Sequence, residues 1–388
     1  MTRIVPLALL ALALLPATAS ARTDDGCPPS SCGAQSVTAP GSRLLFVRSA
    51  GSLGPLAAYD LVTGERRFSL PAGLLSYDGS RYFAARFSSG RTVLTRLSTT
   101  TGRALGTHTI PGQWLLAGIS ANGRWLVLGA RKNNGTSTRL AVYSVEAARV
   151  VRTIPLAGWW EVDTISDDGL RLFLIQHSGS VYSVRLYGVA AGKLRQGSLR
   201  VKGQDETMTG TAWSAVGSPD GAYLLTLYLD TEHSKSFVHA LDLRGASARC
   251  LDLPGGGSDD FVTLSQYVLA LAPNGTKLFA ANPALGVVTQ LDLLRGTIAK
   301  PVRFRGTGSA SLASAAIAAV SHDGRTVYFS TGGAIWAYDA AFGRVRGPYS
   351  AGRVAGMGFS PDDRRLYVVR ASGSVVAFDA ARGTTLRR

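Results

Sequence analysis

A four-residue turn of the form Ser-x-Asp/Asn-Gly recurs seven times along the 388-residue chain, and no other feature restricts its fold as much. The copies begin at Ser76, Ser120, Ser166, Ser218, Ala272, Ser321 and Ser360, at spacings of 44, 46, 52, 54, 49 and 39 residues. The fifth replaces serine with alanine, and the last ends in Asp362-Asp363. Asp-Gly and Asn-Gly tolerate positive φ and join adjacent antiparallel strands tightly. Each copy follows an apolar segment and precedes a β-prone run such as Trp125-Leu126-Val127-Leu128 or Leu172-Phe173-Leu174-Ile175. The chain's 45 glycines leave little room for ordinary helices, where each would cost ~1 kcal/mol.

A second signature, an Asp followed four residues later by Gly, marks a later hairpin of the unit. It appears as Asp60/Gly64, Asp292/Gly296, Asp339/Gly343 and Asp379/Gly383, with Ser98/Gly102 and Gly188/Gly192 substituted and Asp242/Gly245 shortened. Each unit reads as strand A, Ser-x-Asp-Gly turn, strand B, loop, strand C, Asp-x-x-x-Gly turn, strand D. A lone sheet of this kind cannot bury both faces, so neighbouring units must pack around an axis.

On these turns and spacings, residues 43–388 resemble the YVTN and WD-repeat-like β-propellers of exported bacterial proteins, although the Trp-Asp ending and Gly-His start of true WD repeats are absent. The resemblance implies one all-β domain of four-stranded antiparallel blades. Strands B, C and D occur eight times, because segments 44–47, 56–59 and 67–70 precede the first turn. That count favours eight blades, with Gln35-Ser36-Val37 as the missing strand A, over seven. The Ala-rich segment 312–320 could pass for a helix by composition, but it sits where a strand A belongs.

The start of the chain speaks to compartment. Arg3, the apolar residues 4–15 and the small residues Ala19-Ser20-Ala21 follow the order of a secretory signal peptide, giving a signal at 1–21 and an N-terminal arm at 22–42. Twelve apolar residues fall short of the ~20 needed to span a bilayer. The expectation is a secreted or extracytoplasmic monomer without a transmembrane segment after cleavage. Export permits disulfides, so Cys27 and Cys32 are the simplest pair, with a bridge from either to Cys250 as the competitor.

The formal charge is +16, carried mostly by arginines spread along the chain. Such a surface attracts anionic wall polymers, whereas nucleic acid is a poor partner for an exported protein. Against this basic background one acidic and aromatic arc stands out in the D–A connections of three successive units. It comprises Trp159, Trp160, Glu161 and Asp163, then Asp205, Glu206 and Trp213, then Asp259 and Asp260. These carboxylates and indoles suit a glycan, a cationic amine or peptide, or a protein partner; calcium is the one ion they favour, and no other cofactor is expected. The competing reading packs the tryptophans between blades and leaves the carboxylates solvated or paired with arginines.

Catalytic motifs are missing: no Gly-x-Ser-x-Gly elbow, His-Glu-x-x-His or Gly-x-Gly-x-x-Gly occurs. His108, His177, His233, His239 and His322 read as surface or turn residues. The sequence therefore points to a non-catalytic binding propeller of the cell envelope. The alternatives are a lactonase- or glycosidase-type propeller using inter-blade carboxylates, or a wall-associated scaffold.

Overall fold

The structure, a computed structural model, describes residues 35–38, 41–48, 55–130, 136–179, 181–199, 208–255, 260–308 and 316–386. These form eight antiparallel sheets, each in simple up-and-down strand order. Blade 1 holds β1 Gln35–Thr38, β2 Leu44–Arg48, β3 Leu56–Asp60 and β4 Arg66–Leu70. Blade 2 holds β5 Gly73–Leu75, β6 Tyr82–Ser88, β7 Arg91–Leu97 and β8 Ala104–Pro111. In blade 3 these are β9 Trp114–Ile119, β10 Trp125–Ala130, β11 Ser137–Ser144 and β12 Arg149–Ala157. Blade 4 is β13 Trp160–Ile165, β14 Arg171–Ser178, β15 Val181–Gly188 and β16 Lys193–Leu194.

Blade 5 consists of β17 Thr211–Gly217, β18 Tyr223–Asp230, β19 Lys235–Asp242 and β20 Ser247–Asp252. A single helical turn, α1 Phe261–Leu264, leads into blade 6. That blade contains β21 Val268–Leu271, β22 Lys277–Asn282, β23 Val287–Asp292 and β24 Thr297–Ile298, with β25 Val302–Arg303 also on β23. Blade 7 is β26 Ile317–Val320, β27 Thr326–Thr331, β28 Ala334–Asp339 and β29 Arg344–Ser350. Blade 8 has β30 Val354–Phe359, β31 Arg365–Arg370 and β32 Val375–Asp379, and a bridge from Phe378 to Thr385 stands at its outer edge.

The chain is thus an all-β, eight-bladed propeller, with the first strand of each blade facing the axis. Gln35–Thr38 supplies the strand A of blade 1, so the blade takes in residues ahead of the boundary at 43. The Ala-rich segment likewise ends as a strand A, at Ile317–Val320.

The apolar core is divided among the interfaces between blades, one cluster at each. Leu56 and Phe46 meet Tyr82 between blades 1 and 2; Leu225 and Leu227 meet Leu278 between blades 5 and 6. The ring closes where Leu45 and Leu61 of blade 1 pack on Tyr367 and Val369 of blade 8. Closure uses side-by-side packing: Ser36 Oγ donates to Met357 O at 3.0 Å and accepts from Met357 N at 2.9 Å.

The repeated turn shows why its residues recur. In blade 3, Ser120 Oγ donates to Asn122 Oδ1 at 2.8 Å and accepts from Trp125 N at 3.1 Å, fastening the turn to the start of strand B. Ser76, Ser321 and Ser360 make the same pair of bonds with Asp78, Asp323 and Asp362 and with the amides five residues on. Turns of adjacent blades also join, as Asn122 N donates to Asp167 Oδ1 at 2.9 Å. At the C–D hairpin, Asp60 Oδ1 accepts from Val62 N and Thr63 N while Gly64 takes φ +75°.

Candidate functional site at the head of blades 4 and 5

The D–A and B–C connections share one face, and the acidic and aromatic residues of blade 4 cluster there. Trp159 lies in the connection ahead of β13, and its carbonyl accepts from His177 N at the end of β14 at 3.0 Å. The His177 ring stacks on the indole with centroids 4.2 Å apart and planes 22° from parallel. Its Nε2 lies 3.0 Å from Glu161 Oε2. Trp159, His177 and Glu161 thus form one unit, two rings and a carboxylate held on paired strands.

Asp163 sits one step deeper. Val162 pairs with Leu174 and Thr164 with Phe173, so Asp163 is the extra residue of a β-bulge in β13. Bulges re-aim a side chain, and they concentrate next to functional sites. Asp163 is 8% exposed, and its carboxylate accepts no hydrogen bond among the described residues. Burial, reinforced by the Glu161 charge, pushes its pKa up to about 7.

Tyrosines from both blades line the same interior. Tyr182 of β15 stacks on Tyr228 of β18 at 4.9 Å, and Tyr228 stacks on Phe237 of β19 at 5.2 Å. The Tyr182 hydroxyl approaches that of Tyr228 without reaching hydrogen-bond geometry. Burial raises both phenols, and the Asp163 charge raises them further, which places carboxylate and hydroxyls in one electrostatic neighbourhood. His239 of β19 lies opposite Cys250 of β20, its ring 6.0 Å from that of Tyr228. Both its ring nitrogens are buried without a hydrogen-bond partner, and burial pushes its pKa down to about 4.

The remaining expected residues fall elsewhere or do other work. Trp160 is 6% exposed, and its Nε1 donates to Ala157 O at 2.8 Å. The same latch occurs one blade earlier, where Trp114 Nε1 donates to Pro111 O at 2.8 Å. Thr138 and Thr92 support the two latches alike, each hydroxyl accepting from the tryptophan amide. Trp213 packs edge-on to Phe261, and its Nε1 donates to Ser265 O, tying β17 to α1. Asp260 caps α1 by accepting from Val262 N and Thr263 N. The structure therefore brings Trp159, Glu161 and Asp163 together and sets Trp160, Trp213 and Asp260 apart. Asp205, Glu206, Asp259, Cys27 and Cys32 lie outside the described residues, as does the segment 1–21.

The histidines correct the sequence reading in part. His177 is built into the blade 4 cluster and His239 is interior, because strand alternation carries each onto the face that meets the neighbouring blade. Their partners come from other strands and leave no local motif. Nearby, Asp230 is 1% exposed and fully engaged, accepting from Thr209 Oγ1, His233 N and the His233 ring. Among the described residues, no three His, Cys, Asp or Glu side chains gather as metal ligands.

No family model matches the chain, and no curated protein matches it in sequence. Solved structures do resemble it in shape. The computationally designed Ika8 protein is 14% identical with a TM-score of 0.52, covering 91% of this chain and 98% of its own. A dihydro-heme d1 dehydrogenase, NirN, in complex with DHE is 16% identical with a TM-score of 0.53, covering 91% and 74%. A eukaryotic initiation factor is 12% identical with a TM-score of 0.50, covering 92% and 89%. Likeness at this level of identity extends to the fold alone, and the site must be judged on its own chemistry.

Proposed function

We propose that this chain is an exported β-propeller that binds a ligand or protein partner at the cell envelope, without catalysis, through the face bearing its D–A and B–C connections. The observation that carries the reading is Asp163, a buried carboxylate without a hydrogen-bond donor beneath the Trp159–His177–Glu161 unit. Burying a carboxylate is costly unless something pairs with it, and costs of this kind concentrate at binding sites. The signal-like segment 1–21 and the basic composition support an envelope location. A thermal-shift screen of the chain from residue 22 against calcium, glycans, organic amines and anionic wall polymers tests the proposal. Ligand-dependent stabilisation that Glu161→Gln with Asp163→Asn removes is the expected result; no response across the panel, followed by no partner in a pull-down, would overturn it.

One observation favours a second reading. Glu161 and Asp163 are neighbouring carboxylates, and Asp163 is held at about 7, the setting of a general acid. A hydrolase of the glycosidase or lactonase type would use that pair, and cleavage of chromogenic glycosides or lactones lost in Asp163→Asn would establish it. Calcium binding through Glu161 would instead appear as chelator-sensitive melting restored by the ion.

A further inference from the structure

The interior between blades 4 and 5 buries a carboxylate, two phenols and an imidazole, and several of their polar atoms lack hydrogen-bond partners among the described residues. Asp163 is 8% exposed, Tyr182 3%, Tyr228 3% and His239 1%. The Tyr182 hydroxyl and both His239 nitrogens lack partners, and nothing donates to Asp163 among the described residues. Buried polar groups in native proteins are nearly always paired, so a concentration of exceptions asks for an occupant. Among the described residues, Glu161 on its own strand, Tyr182 on β15 and Tyr228 on β18 lie within electrostatic reach of Asp163, while Cys250 on β20 lies near both phenols and the His177 ring on β14 is 6.3 Å from that of Tyr182. His239 on β19 stands behind Tyr228. The one charge acting on Asp163 among the described residues is that of Glu161, which has the same sign.

We infer that Asp163, with Glu161 toward the mouth and the Tyr182 and Tyr228 hydroxyls beside it, holds the ammonium group of a small organic amine. The inference rests on the ligand-binding function proposed above and names the ligand's chemistry. An ammonium brings three donors and no acceptor, which matches a carboxylate lacking donors and two hydroxyls able to accept. Its charge offsets the Asp163 carboxylate, whereas a neutral polyol would leave that buried charge uncompensated and an anion would meet repulsion. A divalent ion needs more oxygen ligands than gather here among the described residues. The rings of Trp159, Tyr182 and Tyr228 supply apolar and π surface for the carbon skeleton.

Binding has a proton balance. The ammonium pairs with the ionised carboxylate, so a protonated Asp163 must first release its proton to solvent. Because burial holds that group near 7, only about a tenth of the sites are competent at pH 6 and about nine-tenths at pH 8. Affinity for an amine then falls about tenfold from pH 8 to pH 6, with proton release that is largest at the lower pH.

Isothermal titration of the chain from residue 22 with pentylamine and 1,5-diaminopentane, with 1-pentanol as the neutral comparison, tests this. The titrations are run at pH 6 and 8 in two buffers of different ionisation enthalpy. Both amines bind and pentanol does not, the affinity shows the tenfold pH dependence, and the buffers report the released proton. Asp163→Asn loses binding at least tenfold and abolishes the buffer difference, and Tyr182→Phe weakens binding several-fold while melting near the wild-type temperature. Amine binding equal in Asp163→Asn and wild type, or absent in wild type at pH 8, overturns the inference. Stabilisation by a glycan, calcium or wall polymer but not by either amine overturns it while leaving the binding function standing. Silence across the whole panel overturns the inference, and the binding function falls with it only when a pull-down also finds no partner.

Discussion

The ring of Tyr77, carried on the A–B turn of blade 2, occupies the space that a Cβ on Gly217 of blade 5 would need. Its hydroxyl lies 3.5 Å from Thr164 Oγ1 of blade 4, next to Asp163. One side chain thus crosses the axis and obstructs the A–B-turn side of the centre. Trp159 and Glu161 stand toward the opposite face.

Gly217 has no positive φ, so its requirement is space alone. Gly217→Ala should destabilise the protein by about 1–3 kcal/mol through overpacking. In a Tyr77→Ala background the same change should be neutral or slightly stabilising, since alanine restricts the unfolded chain. Denaturant titration of the four-member cycle reads the coupling; equal effects in both backgrounds would refute the packing argument.

The Ala272 turn lacks the hydroxyl that its counterparts use, although the backbone bond from Ala272 N to Lys277 O is kept at 2.8 Å. Ser218-Pro219 and Ser360-Pro361 show that serine is compatible with the following proline. Ala272→Ser should therefore gain about 0.5–1.5 kcal/mol, the ordinary net worth of a hydrogen bond, as a rise in the denaturant midpoint.

The shortened Asp242 hairpin carries its glycine one position early. Ala246 occupies the left-handed conformation at φ +50°, as Ala148 does in blade 3, where hairpins such as Asp60/Gly64 and Asp292/Gly296 place glycine. Ala246→Gly should stabilise by about 1 kcal/mol, because the penalty is steric and glycine removes it. An unchanged or lowered midpoint would show that the alanine methyl, which packs on the cluster between blades 4 and 5, contributes more than the strain costs.

Asp163 and His239 make opposite demands on pH. Asp163 has a folded value of about 7, above its unfolded value of ~4, so its contribution to stability falls as pH rises between them. His239 has a folded value of about 4, below its unfolded value of ~6.5, so its contribution rises with pH across nearly the same range. The two slopes oppose each other between pH 4 and 6.5. Relative to wild type, Asp163→Asn should gain stability with increasing pH in that window and His239→Phe should lose it, each by up to about 1.4 kcal/mol per unit. Parallel stability profiles for wild type and both variants would remove the electrostatic account.

The architecture was legible because it depends on local chemistry repeated many times. Ser120, Asn122 and Gly123 act within one turn, and their spacing carries the blade count. The site was legible only where its residues adjoin in sequence, as Trp159, Glu161 and Asp163 do. His177, Tyr182, Tyr228 and His239 reach it from four strands of two blades, and the bulge that aims Asp163 appears only once β13 is paired with β14. Trp160 illustrates the converse: its composition suggested a ligand contact, but the latch it shares with Trp114 is a device for turning the chain into the next blade.

Site-resolved titration of Asp163 by carboxyl carbon NMR, assigned by comparison with Asp163→Asn, tests the central claim most directly. The account predicts a midpoint near 7 in the protein alone, falling by at least one unit when pentylamine is added. A midpoint near 4 that does not respond to the amine would contradict it.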